Sequence, residues 1–412
     1  MAPVVVLGTL AVTAVVTRKH ARPAARPLAS IGVDPAVAAP APTRALALLA
    51  PDAAAPRGAR MIHGDARHTH RADARGPRAA TLAWQAKLGG AVEAQIVAST
   101  DEATLYAASL DGALYALDRG GKVRWKVDLG DRAYATPLVL ADGAVLAGSD
   151  AKKVVAVGPD GAVRWRLETS GEVDTGFAEL PGVGAVVAAG REVIAIRPQG
   201  DVAWRASTKG KVFTAPAVTP GGVVVVGAQD HRAYGFDARS GARVFATDLG
   251  ADVDGAAAIG DDGAIYVGTD AGEVVRLDAA GAVAWRAQVG GFVRGTLSVS
   301  RGGDVLAGVY GPAPRAVRVD PSGTVTAAFA VQGTGAREFG VHGGALEDAE
   351  GALYFGGQDD ALWCYDRDGV LRFRFETKGD VDAPVTLLSD GQLVFASDDG
   401  TVYALSPKPP TD

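Results

Sequence analysis

From residue 82 to residue 405 the apolar positions fall in runs of four to seven, rich in Val, Ile, Leu and Tyr and bounded by Gly, Asp or Pro. No stretch there carries ten residues of helical periodicity, so these runs predict short strands. Asp-Gly pairs at 111–112, 142–143, 160–161, 262–263, 368–369, 390–391 and 399–400 separate them. Glycine takes positive φ at little steric cost and aspartate tolerates it, so each pair predicts a tight reversal. The whole pattern repeats about every forty residues: 90–129, 130–169, 170–208, 209–249, 250–289, 290–332, 334–377 and a shorter 378–405. Four strands per unit at that period predict an all-β fold, a β-propeller in which each unit is one four-stranded antiparallel blade.

The ends of the repeat predict how the ring closes. The last unit stops after three strands, at Val402-Tyr-Ala-Leu405, while an extra closing strand, Leu82-Ala-Trp-Gln-Ala-Lys-Leu88, precedes the first unit. The N-terminal strand is expected to complete the last blade, giving eight blades and removing the open edge. The third strand of most units carries one small residue: Ala116, Ala156, Ala195, Gly235, Cys364 and Ala404, with Arg276 and Arg318 as exceptions. The closing strand carries an aromatic at Trp84, Trp125, Trp165, Trp204, Phe245 and Trp285, and more loosely at Phe329 and Phe373. The small position is expected to make room for a bulky group from the neighbouring sheet, with that aromatic as the occupant.

The 412 residues are 48% hydrophobic with a net charge of −6, enough for a large core and unfavourable for nucleic-acid binding. Cys364 is the one cysteine, so no intrachain disulfide forms, and its place in the small-residue slot predicts an inert buried thiol. Residues 1–17 form an apolar signal- or anchor-like segment, followed by Arg18-Lys-His20 and an Ala/Pro/Arg-rich stretch, 18–58, that reads as a disordered linker. The propeller is expected over 59–407 and a tail over 408–412. The apolar run is short for a spanning helix and its basic flank follows it, which by charge bias would hold the propeller in the cytoplasm. No cysteine lies near this run, which argues against a lipid anchor.

The stretches Tyr106-Ala-Ala-Ser-Leu-Asp-Gly-Ala-Leu-Tyr-Ala-Leu-Asp118 and Phe395-Ala-Ser-Asp-Asp-Gly-Thr-Val-Tyr-Ala-Leu405 resemble the pyrroloquinoline-quinone (PQQ) propeller repeat, over residues 82–405. Met61-Ile-His-Gly-Asp-Ala-Arg-His-Thr-His70 resembles the segment such proteins carry before their first strand. Two groups share the repeat: quinoprotein dehydrogenases, and cofactor-free propellers including the outer-membrane assembly lipoprotein BamB. The dehydrogenase resemblance implies an adjacent cysteine pair, a catalytic Asp and Glu/Asn/Asp calcium ligands. This chain has a single cysteine and no asparagine, so neither PQQ nor its calcium is expected, and no catalytic or metal residue is assigned. Propellers of this kind work outside the cytoplasm, which favours the periplasm or cell envelope and a membrane link only through the N-terminal segment.

Candidate function therefore lies in loops. Turns between second and third strands and crossings between blades share one face of a propeller. The turns carry Asp111, Asp150, Asp230, Asp270, Asp359, Asp360, Asp398 and Asp399; the inner strands begin with Glu93, Asp174, Asp254, Arg294 and Asp382. Together they are expected to ring one channel mouth with negative charge and attract a cation or a basic partner segment, although Asp also suits turns for purely local reasons. The long seventh unit adds Arg337, Glu338, Phe339 and His342 as candidates. His63, His68 and His70 with Asp65 fit no strong zinc spacing and read as packing residues at the rim. The expected role is a non-catalytic, monomeric scaffold for a protein or peptide partner. The alternatives are a PQQ-dependent dehydrogenase and a propeller lyase or hydrolase.

Overall fold

The protein is described by a computed structural model covering residues 59–331 and 339–407. The expectations for 1–17, 18–58 and 408–412, and for Arg337 and Glu338, lie outside the described residues. Thirty-two strands pair into eight four-stranded antiparallel sheets, each matching one forty-residue unit. Blade 1 contains Val97–Ala98, Thr104–Ser109, Ala113–Asp118 and Val123–Asp128, from the axis outward, and blades 2 to 7 follow in chain order. Blade 8 takes its three inner strands from Thr386–Leu387, Leu393–Ala396 and Thr401–Leu405, and its outer strand is Leu82–Lys87. Trp84 stands opposite Ala404 and Gln85 opposite Tyr403, so the beginning of the propeller is hydrogen-bonded to its end. Ring closure leaves no blade short of a strand.

Adjacent blades press face to face. Tyr106 and Leu114 of blade 1, for instance, share a buried cluster with Val145 and Val155 of blade 2. The register between third and outer strands slips by one residue in every blade, as between Ala116 and Leu117, and such a bulge adds twist. The expected occupant of the small third-strand position is correct, but its origin is not. Ala116, Ala156 and Ala195 face Trp125, Trp165 and Trp204 of their own blades across the strand pair. At Gly235 a Cβ would lie 2.2 Å from the ring of Phe245, again within one blade. The ring then reaches over to the next blade instead. Trp204 covers Gly241 of the next blade, where a Cβ would meet the indole at 2.7 Å and φ is +71°. Its Nε1–H donates to Ala238 O at 2.9 Å, and Trp125, Trp165 and Trp285 donate likewise to Pro159, Pro198 and Pro321. Phe373 stands in the aromatic register opposite Cys364, whereas Ala327 takes that place in blade 6 and Phe329 lies two residues further on. Cys364 is fully buried, and burial pushes its thiol up to about 12, so it stays protonated.

One end of the channel is closed by the chain's own segment 59–72. The inner-strand N–H groups of Ala98, Val139, Val218, Ile259, Val299 and Glu347 donate to the carbonyls of Ala59, Arg60, Ala66, Arg67, Thr69 and His70. Arg60 pairs with Glu179 of blade 3 at 2.9 Å and His70 Nε2 meets Val385 O of blade 8 at 2.9 Å. The segment thus visits all eight blades in order. His63, His68 and His70 are fully buried within it, across the channel rather than at the rim. Their bonded ring nitrogens face the carbonyls of Gly343, Ala257 and Val385, which only accept, so each of those nitrogens carries the proton. The remaining ring nitrogens have no partner among the described residues, and burial lowers all three histidines, His70 to about 4. The rings of His63 and His70 stack at 4.0 Å. They are neutral packing groups.

Candidate functional site

At the other end the channel opens into a cavity of about 890 Å³ whose floor includes Ile62, packed on Ala215 and Ala256. Three positions per blade build its wall, and a repeated bond defines them. A turn residue after the second strand donates its N–H to a residue six positions ahead of the inner strand, as in Asp150 to Arg132 O, Asp270 to Asp252 O and Asp398 to Asp380 O, so the acidic positions precede the inner strands and do not begin them as expected. Two residues past that acceptor comes the channel-facing position. Around the ring this position reads Glu93, Tyr134, Asp174, Phe213, Asp254, Arg294, His342 and Asp382, all of which line the cavity. The sequence reading had found Glu93, Asp174, Asp254, Arg294, Asp382 and His342. It missed Tyr134 and Phe213, which alignment of the eight stretches ahead of the inner strands would have revealed.

Asp270 and Asp398 belong to the wall through their neighbours, Asp270 through a two-pronged pair with Arg294 at 3.0 and 2.8 Å. Asp111, Asp230, Asp359 and Asp399 serve another purpose. They stand one residue further along the turn and accept a bond from the aromatic four residues on, Tyr115, Tyr234, Trp363 and Tyr403 respectively. Their carboxylates lock the turn to the third strand, the local role that turn chemistry allows. Asp360 is an exposed turn residue at φ 56°.

Charge is distributed unevenly around the mouth. Over blades 2 to 6 most of the carboxylates have a basic partner: Arg132 with Asp150 at 2.8 Å, Lys211 with Glu172 and Asp174 at 3.2 and 3.3 Å, His231 with Asp252 at 2.9 Å, and Arg294 with Asp270; Asp254 forms no ion pair among the described residues, and burial raises its carboxyl. Lys211 and Arg294 also lie over the rings of Phe213 and Phe292 at 4.3 and 4.7 Å, and both phenylalanines are exposed. Blades 8 and 1 differ. Among the described residues no Lys, Arg or His forms an ion pair with Asp380, Asp382, Asp398 or Glu93. Burial and the mutual repulsion of these groups raise Asp398 to about 8, Glu93 to about 7 and Asp380 to about 6. Between the two sectors, the hydroxyl of the buried Tyr310 meets His342 Nδ1 at 2.6 Å.

Residues 71–156 and 150–309 match the family described as outer membrane protein assembly factor BamB. No curated protein matches the sequence. Among solved structures, the chain is similar to BamB from Moraxella catarrhalis, with 18% identity and a TM-score of 0.64, over 79% of this chain and 99% of that one. It is similar to Sqt1 from Saccharomyces cerevisiae at 11% identity and TM-score 0.70, over 80% and 100%. The quinohemoprotein alcohol dehydrogenase of Comamonas testosteroni aligns at 13% identity and TM-score 0.70, over 88% and 82%. At such identities the structures share the fold, which serves non-enzymes and dehydrogenases alike. Together with the eight-bladed ring, the match over more than half its length makes this chain a member of the family described as outer membrane protein assembly factor BamB.

Proposed function

We propose that the protein is a non-catalytic scaffold of the cell envelope that receives a basic segment of a protein partner at the open mouth of its channel. The observation that carries this reading is the acidity of blades 8 and 1, uncompensated among the described residues, with exposed Phe213 lining the same cavity. A cavity of this kind focuses field lines and raises the local concentration of a cationic chain, while the aromatic sector offers it apolar contact. The rigid ring pre-organises both sectors, which reduces the ordering cost of binding. The family's description as an assembly factor favours a protein partner and an envelope location. Among the described residues no helix is long and apolar enough to cross a membrane.

The donor set does not fit quinone chemistry. PQQ is a tricarboxylate, and Arg132, Lys211 and Arg294 at this mouth already face carboxylates of the protein. Cys364 is buried inside blade 7, so no vicinal disulfide lines the cavity.

The test is fluorescence anisotropy with a labelled Lys/Arg-rich peptide in chelator-containing buffer, against an acidic peptide of equal length. Saturable binding of the basic peptide alone, weakened at least tenfold by Glu93→Gln with Asp382→Asn and by added salt, supports the reading. Equal binding of both peptides, or none, ends it.

A further inference from the structure

We propose that Asp380, Asp382 and Asp398 of blade 8, with the side-chain oxygen of Gln358 from blade 7, form a binding site for a hard divalent cation of the calcium class. The ligand atoms of the three carboxylates lie within 4.8 Å of one another. One small ion can therefore touch all three, since calcium takes oxygen ligands at about 2.3–2.6 Å with loose angular demands. The set is made by register. Blade 8 places Asp at each of the three wall positions, two flanking buried Val381 and the third at the turn that bonds back to Asp380.

Blade 5 supplies the contrast. It too has three aspartates at these positions, Asp252, Asp254 and Asp270, but His231 sits 2.9 Å from the first and Arg294 grips the last. In blade 8 the corresponding groups pair with no cationic side chain among the described residues. Asp174, at the blade 3 position equivalent to Asp382, has Lys211 at 3.3 Å.

A second observation points to a ligand rather than to an accident of composition. Asp382 is nine-tenths buried and lines the cavity, yet its Oδ1 has no hydrogen-bond partner among the described residues and no exposure to solvent. Its other oxygen accepts from Gln358 Nε2 at 3.1 Å, which holds the carboxylate still. Gln358 Oε1 and Asp398 Oδ1 are likewise buried without partners. Buried polar atoms are nearly always satisfied, and three orphaned oxygens beside a carboxylate cluster are what a cation would satisfy. The like-charge repulsion that adds to burial at Asp398 and Asp380 would be relieved in the same event.

The site shares Asp382 with the peptide reading, and the two are told apart because peptide binding is measured in chelator whereas the probe here is the metal alone. The full chain is stripped with chelator, exchanged into chelator-free buffer and titrated at pH 7 with CaCl2 by calorimetry, with MgCl2 and ionic-strength-matched NaCl as comparisons. The expected result is one site per chain, with a dissociation constant on the order of 10⁻⁵–10⁻³ M and a rise in melting temperature that NaCl does not reproduce. Asp382→Asn and Asp398→Asn should each weaken calcium at least tenfold. In metal-free buffer Asp398→Asn should melt no lower than the parent, which confirms that it folds. No heat up to 10 mM CaCl2, a response equal to that of NaCl, or affinity within twofold in a folded Asp382→Asn variant would overturn the assignment. If Asp382→Asn does not fold, the parent titration and Asp380→Asn decide by the same criteria.

Discussion

Replacing Asp398 with asparagine keeps the shape of the side chain and removes only its charge. Asp398 makes no side-chain hydrogen bond and no ion pair among the described residues, so the change forfeits no contact of that kind. Its carboxyl is raised from 3.8 to about 8 by burial first, then by Asp382, Glu93 and Asp380. A raised carboxyl binds its proton more tightly in the folded chain than in the unfolded one, so its penalty grows as pH rises from about 4 to about 8. A rise from 3.8 to about 8 corresponds to an upper bound of about 6 kcal/mol. The group is partly exposed, and solvent screening reduces that to about 2 kcal/mol. Asp398→Asn should therefore be more stable than the parent by under about 1 kcal/mol at pH 5 and by about 2 kcal/mol at pH 8.5. Urea unfolding in chelator at a series of pH values measures it. An advantage independent of pH, or a less stable variant at pH 8.5, would refute the account of this sector as repulsive and unpaired.

The plug should respond in the opposite sense. His70 titrates near 4 in the fold against about 6.5 when unfolded, so stability should fall as pH drops below 6.5, by up to about 3 kcal/mol from this residue, seen as a lower melting temperature from pH 7 to 4.5. Trp204→Ala removes a buried indole and its bond to the next blade and should cost about 3–5 kcal/mol in urea unfolding. Gln85→Pro, opposite Tyr403 in the closing strand, should open blade 8 and expose the 378–405 region to limited proteolysis while blades 2 to 5 stay protected. Cys364 should stay unreactive to an aqueous thiol reagent until the protein unfolds.

Strand number, blade boundaries and the closing strand were legible in the chain because each depends on local information: run length, turn dipeptides and a period of forty residues. The identity of the mouth was legible only in part. Glu93, Asp174, Asp254 and Asp382 were found because charge just ahead of an inner strand stands out, whereas Phe213 and Tyr134 at the same ring position read as ordinary strand residues. Asp111 and Asp399 look no different in sequence from Asp150 and Asp398. A one-residue step along the turn separates a carboxylate bonded to its own third strand from one at the channel wall.

What the chain determined alone was the repeat and, through it, the number of blades, since four-stranded sheets with apolar faces can bury themselves only against copies of one another. What only the tertiary structure decided was which charges meet. Arg294 reaches back to Asp270 of the preceding blade, Lys211 to Asp174, and no cationic side chain among the described residues pairs with Asp382, because these encounters depend on ring closure and on neighbouring blades rather than on any local stretch. The path of residues 59–72 belongs to the same class. Its eight partners are assembled only when the ring exists, and only there does burial hold its histidines below their ordinary range.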